Sequence, residues 1–302
     1  MSNGGVKTAV FALLLGTWPL AAAAQELEPR AYSPNPTGAN FALLAFGHTQ
    51  GDVLVDPSLP VRDVSAVLNS TILLYGRTFG LFGRSASVGV GLPYAWGSAE
   101  GEVGETFHRV TRSGLADARL RLAVNLLGGP ALTLAEFARR RPGTTLGTSL
   151  VVQAPSGQYD GTKLINLGTN RWSFKPELGV SRPFGRLYLE FYAGAWIFSD
   201  NDDFFGGQRR EQDPVGSFQV HSSYTFRPRL WVAANATYFT GGRSALDGVA
   251  KDDRFSNSRI GLTAAFPLGR RQSMKVAWAS GVSTRSGGDL DSVSVAWQVL
   301  WF

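Results

Sequence analysis

The sequence predicts an all-β protein: a transmembrane antiparallel up-and-down β-barrel of about 12 strands, of the outer-membrane type, with a short periplasmic helix. Three observations carry that prediction. The first is composition. Charged residues make up 17% and aromatic residues 12% of the 302 residues, with 36 glycines, whereas a soluble domain carries roughly 25% charge. The second is that no segment after residue 24 stays apolar for the roughly 20 residues a membrane helix needs. The third is period two. Leu187, Leu189, Phe191, Ala193, Ala195 and Ile197 share one face of a run whose other face holds Tyr188, Glu190, Tyr192 and Trp196. From Leu115 to Leu127, apolar Ala116, Ala118, Leu120, Leu122, Val124 and Leu126 alternate with Asp117, Arg119, Arg121 and Asn125. A strand sorts side chains in this way; a helix, whose faces repeat at three and four, does not.

The elements follow in order. Lys7 is the only charge before Glu26, an apolar stretch runs from Ala9 to Leu20, and Ala22-Ala23-Ala24 supplies small residues at a cleavage site. Residues 1–24 therefore read as a signal peptide, cut after Ala24. The run is too short for a spanning helix and is broken by Pro19. Residues 25–302 form the barrel domain. They contain no cysteine, which excludes a disulfide framework, thiol catalysis and Cys–zinc sites.

Twelve strands are expected at 39–50, 64–79, 84–97, 113–128, 143–155, 170–182, 186–199, 213–227, 229–240, 255–267, 272–284 and 291–302. Their connections alternate in length. Leu81-Phe82-Gly83, Pro183-Phe184-Gly185, Arg227-Pro228-Arg229 and Leu268-Gly269-Arg270-Arg271 are tight, and the others are longer and polar. Bacterial barrels pair short periplasmic turns with long external loops. One periplasmic link, Pro130 to Pro142, is long. Leu132, Leu134, Ala135, Phe137 and Ala138 fit one face of a short helix there, with Arg139 to Arg141 at its C-terminal end, where the helix dipole favours cations.

Aromatic residues mark both ends of the outward face. Tyr94, Trp96, Trp172 and Tyr238 lie near external strand ends, and Tyr224, Phe226, Phe266 and Trp301 near periplasmic ends, as interfacial belts do. A soluble sandwich would bury its aromatics instead. In the last strand Val293, Val295, Trp297, Val299 and Trp301 are in phase, so Trp301, rather than the out-of-step Phe302, takes the terminal aromatic role.

Several stretches spread over the chain carry a family resemblance. They are Glu28-Pro29-Arg30-Ala31-Tyr32-Ser33, Asp56-Pro57-Ser58-Leu59-Pro60, Leu92-Pro93-Tyr94-Ala95-Trp96, Pro155-Ser156-Gly157-Gln158-Tyr159, the run Asn166 to Glu177, and the run Asp200 to Gly207. Through them the chain resembles the outer-membrane transporter family named for the meta-cleavage pathway of phenol degradation. The resemblance implies an outer-membrane barrel with a transport role and brings no catalytic residues with it.

The inward phase of the strands names the candidate lumen residues. Arg77, Arg119, Arg121, Arg171, Lys175, Arg259 and Lys275 are basic, and Asp117, Glu177 and Glu190 acidic. Rings of Arg and Lys in a pore favour anions; the alternative is that lumen charges pair and brace the barrel. Tyr75, Tyr188, Tyr192, Trp196, Trp231 and Phe239 share this phase and would stack on a ring or fill the lumen. The tight turn at Pro228 sets His221 opposite Asn235, with Ser223 nearby. These are parts of a hydrolase, but they face the lumen, and nothing supplies an oxyanion hole. Asp200-Asn201-Asp202-Asp203 offers hard oxygen ligands yet lacks the glycine and distal Glu of an EF-hand, so a solvated external loop is expected.

These residues predict a channel or transporter for small, anionic or aromatic solutes. The competing readings are an outer-membrane hydrolase built on His221 and a structural surface barrel. No cofactor or metal is expected. The partners expected are outer-membrane lipid, the barrel-assembly machinery and a small-molecule solute. The formal net charge is +6, but the basic residues are scattered singly, so nucleic acid is not among the partners.

Overall fold

The computed structural model describes residues 28–54, 61–103 and 106–302; the signal-peptide reading of residues 1–24 lies outside them. Twelve staves form the wall. They are β1 (Asn40–Leu54), β2 (Val61–Leu81), β3 (Arg84–Val103), β4 (Thr106–Leu115) with β5 (Arg119–Leu127), β6 (Thr145–Gln153), β7 (Ser173–Phe184), β8 (Leu187–Phe198), β11 (Val215–Arg227), β12 (Leu230–Gly241), β15 (Phe255–Pro267), β16 (Gln272–Ser283) and β17 (Gly287–Trp301). Each stave pairs antiparallel with the next, and β1 pairs with both β2 and β17, which closes the ring. Closure leaves the sheet without a free edge, so the wall's backbone groups pair strand to strand. Hydrocarbon offers no water to replace a partner.

The outward face is apolar. Leu44, Leu73, Leu92, Leu122, Leu178, Leu189, Val220 and Leu262 are all exposed, and an apolar surface on this scale has lipid as its solvent. Among the described residues no helix is long and apolar enough to cross a membrane; the chain crosses with strands and resides in the outer membrane.

The structure departs from the expected elements in three places. The strand expected at 113–128 is two strands. β3 pairs with β4 up to Tyr94↔Leu115 and with β5 only from Gly91↔Arg119, so the chain leaves the ladder at Ala116–Ala118. β2 and β3 run for 21 and 20 residues, about twice the 9–11 of a crossing strand, and with β4 they rise beyond the membrane as a hairpin. Two external loops also fold. β9 (Asn201–Phe204) and β10 (Gln208–Gln212) join β13 (Ser244–Leu246) and β14 (Val249–Ala250) in a separate four-stranded sheet.

The periplasmic helix forms at Leu134–Ala138. Thr133 caps it, accepting from the Glu136 amide while the Glu136 carboxylate accepts from the Thr133 amide, a reciprocal arrangement that satisfies two end donors. Its apolar residues are not buried.

Candidate functional site

The interior is built around a segment with no strand period. Residues Glu28 to Ala39, just before β1, enter the lumen. Tyr32, 2% exposed, is the anchor. Its hydroxyl donates to Glu177 Oε1 at 2.8 Å and lies 2.9 Å from Ser149 Oγ, and its ring meets Tyr192 edge-on at 4.9 Å. Behind it the Arg30 amide donates to Glu190 Oε2 at 2.8 Å, and the Arg30 guanidinium donates to Ser223 Oγ and Thr225 Oγ1. That guanidinium lies between the rings of Tyr188 and Trp231, at 4.8 and 4.7 Å. The Ala31 amide donates to the Tyr192 hydroxyl. Farther along, Thr37 donates to the Leu132 carbonyl at 2.8 Å, and the Thr78 hydroxyl donates to that of Pro36. The segment is a plug fastened to both walls.

Most of the predicted lumen residues face inward. Lys175 and Glu177 form a buried ion pair at 2.8 Å, with the ammonium 5.8 Å from the Trp196 ring. Glu190 accepts from the Tyr192 hydroxyl as well as from Arg30. Arg119 donates to Gln153 Oε1 at 3.1 Å. Arg121 lies 5.5 Å over the Tyr32 ring, and its Nη2 has no hydrogen-bond partner among the described residues. Arg259 donates to the Leu290 carbonyl. Lys275 pairs with inward Ala265 and Ala296. His221 stands opposite Asn235, as the turn predicted, with Nδ1 2.8 Å from Asn235 Oδ1, and Asn235 donates on to Thr263. Ser223 accepts from Arg30 while His221 bonds Asn235, so the trio is arranged as a polar ladder.

Arg77 and Tyr75 are corrections. Both are exposed on the outward face, opposite Val88 and Val90. Around them β2 is apolar on both faces: Leu73 points out, while Ile72 and Leu74 point in, so alternation gave no phase. The inner wall of β1 to β3 is correspondingly greasy. Phe41, Leu43, Ile72 and Leu74 face Arg119, Arg121, Lys175 and Glu177 across a cavity of about 280 Å³.

Asp117 and Arg171 are buried but serve the external side. Asp117 sits in the Ala116–Ala118 break and accepts from the amides of Gly157 and Thr169, the Thr169 hydroxyl and the Gln153 amide. It thereby pins the 154–172 loop to the wall. Arg171 donates to Gln212 Oε1 at 2.6 Å and stacks 4.2 Å over Phe198. Burial pushes its guanidinium well below its ordinary pKa, the Arg210 charge adds to that, and Asp117 and Asp200 oppose it. In the acidic loop, Arg209 bridges Asp200, Asp202 and Glu211, so the carboxylates surround a guanidinium.

Sequence reasoning missed the plug and the apolar inner wall. The only signal for the plug was that Glu28 to Ser33 carries a family resemblance with no strand alternation.

A family model described as "Putative MetA-pathway of phenol degradation" matches residues 45–297. The chain is similar to the COG4313 outer membrane channel from Pseudomonas putida F1, at 22% identity and a TM-score of 0.76, over 91% of this chain and 100% of that one. It is also similar to the transport unit of the autotransporter AIDA-I from Escherichia coli, at 10% identity and a TM-score of 0.54, over 98% of each chain. No curated protein matches it.

Proposed function

The chain belongs to the family described by the MetA pathway of phenol degradation, and from that premise we propose that it is an outer-membrane channel or transporter for small amphipathic solutes, each an apolar or aromatic body with one anionic group. The carrying observation is the two-sided cavity. Its apolar wall of Phe41, Leu43, Ile72 and Leu74 takes a ring out of water, and Arg119 and Arg121 face that wall. Guanidinium matches a carboxylate with two parallel donors, and Arg121 keeps a donor uncommitted among the described residues. At about 280 Å³ the space lies near the lower end of ligand pockets, ~300–1,000 Å³, which suits one or two rings. The plug closes the periplasmic half, so passage requires it to move. On this reading residues 1–24 direct export and are removed, and the barrel-assembly machinery inserts the remainder.

The test is flux into proteoliposomes. An aromatic carboxylate should enter at least fivefold faster than the matching aromatic ammonium ion, and Arg119→Gln with Arg121→Gln should abolish the difference. Raising the salt should weaken it, because the Debye length falls to about 3 Å at 1 M. Equal rates for the two ions, or faster entry of the cation at low salt, would sink the charge assignment. Entry of only the uncharged ring compound would replace it with a purely apolar route.

A further inference from the structure

The two rims of the barrel handle charge differently. The external rim mixes both signs and carries ion pairs: Arg109 with Glu100, Lys163 with Asp160, Arg209 with three carboxylates, and Arg285 with Asp252. The periplasmic rim is almost wholly basic. Each of the five strand-to-strand connections there carries arginine: in chain order Arg84, Arg139, Arg186, Arg227 and Arg270 lie on successive turns, all exposed. Counted over 77–86, 126–147, 182–188, 225–231, 266–273 and 299–302, the rim has 11 arginines and a single acid, Glu136. None of these arginines forms an ion pair among the described residues.

We propose that this collar binds anionic phospholipid headgroups of the periplasmic leaflet. Its placement favours lipid over a protein partner. Arg77 and Arg182 lie on the wall itself, pointing out in phase with Leu73 and Val180, just inside the turns. At that height the neighbour is a headgroup, and a long stem keeps the charge in it while its carbons cover apolar surface. Arg182 stacks 5.1 Å over the Phe184 ring, which leaves the edges of its guanidinium free for phosphate oxygens. Tyr224, Phe226 and Leu268 are exposed at the same level, so aromatic and aliphatic groups sit beside the arginines as acyl chains sit beside phosphates. The charge also encircles the barrel, whereas a protein docks on one side. A leaflet carrying anionic lipid attracts such a basic ring within about one Debye length. Arg229 plays a different part. It donates to the carbonyls of Gly269, Arg270 and Gln272 and holds two neighbouring turns in one plane, presenting Arg227, Arg270 and Arg271 together.

The experiment is a lipid titration of the full-length protein in neutral detergent micelles, read by native mass spectrometry. The probes are phosphatidylglycerol and phosphatidylcholine with the same chains. Phosphatidylglycerol should bind at least tenfold more tightly. A variant combining Arg182→Gln, Arg186→Gln, Arg227→Gln, Arg270→Gln and Arg271→Gln should lose at least fivefold of that preference, and the same five positions as lysine should keep most of it. Heat-modifiable mobility on a gel reports that each variant is a folded barrel. Should the glutamine variant fail to fold, Arg182→Gln with Arg186→Gln alone should lose part of the preference. Inorganic phosphate at equal concentration should not compete; if it does, the collar is a site for free anions and the proposal fails. Equal binding of the two lipids would overturn it in favour of an acidic periplasmic protein. A preference that survives the glutamine substitutions would place the lipid elsewhere and overturn it too.

Discussion

Gly147 and Gly179 face each other across β6 and β7, and the space their missing side chains leave is where the Tyr32 ring lies. A Cβ at Gly179 would stand 2.2 Å from Tyr32 Cε2, and one at Gly147 2.3 Å from Tyr32 Cδ1. The glycines are thus the socket of the plug. Gly179→Ala should expel Tyr32 while the barrel still forms, seen as increased proteolysis of residues 28–36 and higher single-channel conductance. Tyr32→Phe is the gentler version. Removing a hydroxyl bonded to a carboxylate costs about 1.5–3 kcal/mol, roughly tenfold or more in the undocked population. A Gly179→Ala protein with unchanged conductance and unchanged proteolysis would mean the plug does not limit passage. At this scale the sequence was legible wherever one face of a strand was polar. Glu190, His221 and Asn235 fell on the correct side because Leu189, Val220 and Ala236 beside them are apolar. Arg77 did not, because Ile72, Leu73 and Leu74 make both faces of β2 alike and only the pairing with β3 fixes its direction.

Asp117 shows how an element can be interrupted without a mark in the pattern. Ala116 and Ala118 keep the alternation running through the break, so the strand read as continuous, yet the carboxylate between them is spent on the 154–172 loop. Asp117→Ala would leave the amides of Gly157 and Thr169 without their acceptor. Each such loss costs about 1–3 kcal/mol where water does not replace it. Hydrogen exchange over residues 154–172 should therefore accelerate at least tenfold, with the amides of β7 unaffected. Exchange unchanged in the loop would show that other contacts hold it. The external sheet was hidden for another reason: β9, β10, β13 and β14 are two to five residues long, too short for a period to register. The helix after Pro130 was legible, because Thr133 and Glu136 are a start signal that works at short range.

For the whole molecule, strand count and alternating connection lengths predict an orientation, since short turns and long loops segregate to opposite sides. Cysteines replacing Asp202 and Asp247 should react with an impermeant maleimide on intact cells, while those replacing Gly185 and Arg270 should react only after the outer membrane is opened. The reverse labelling would invert the barrel and with it the place of the arginine collar. The ring is closed by β1 and β17, which share fifteen residue pairs from Asn40↔Trp301 to Leu54↔Gly287. That seam joins the first strand made to the last. A chain that stops before β17 leaves β1 and β16 each with a row of amides in hydrocarbon, at several kcal/mol apiece. Losing one strand in twelve therefore forfeits the whole structure. Assembly is pass or fail, and a shortened chain is destined for periplasmic proteases, never for a leakier version of the same pore.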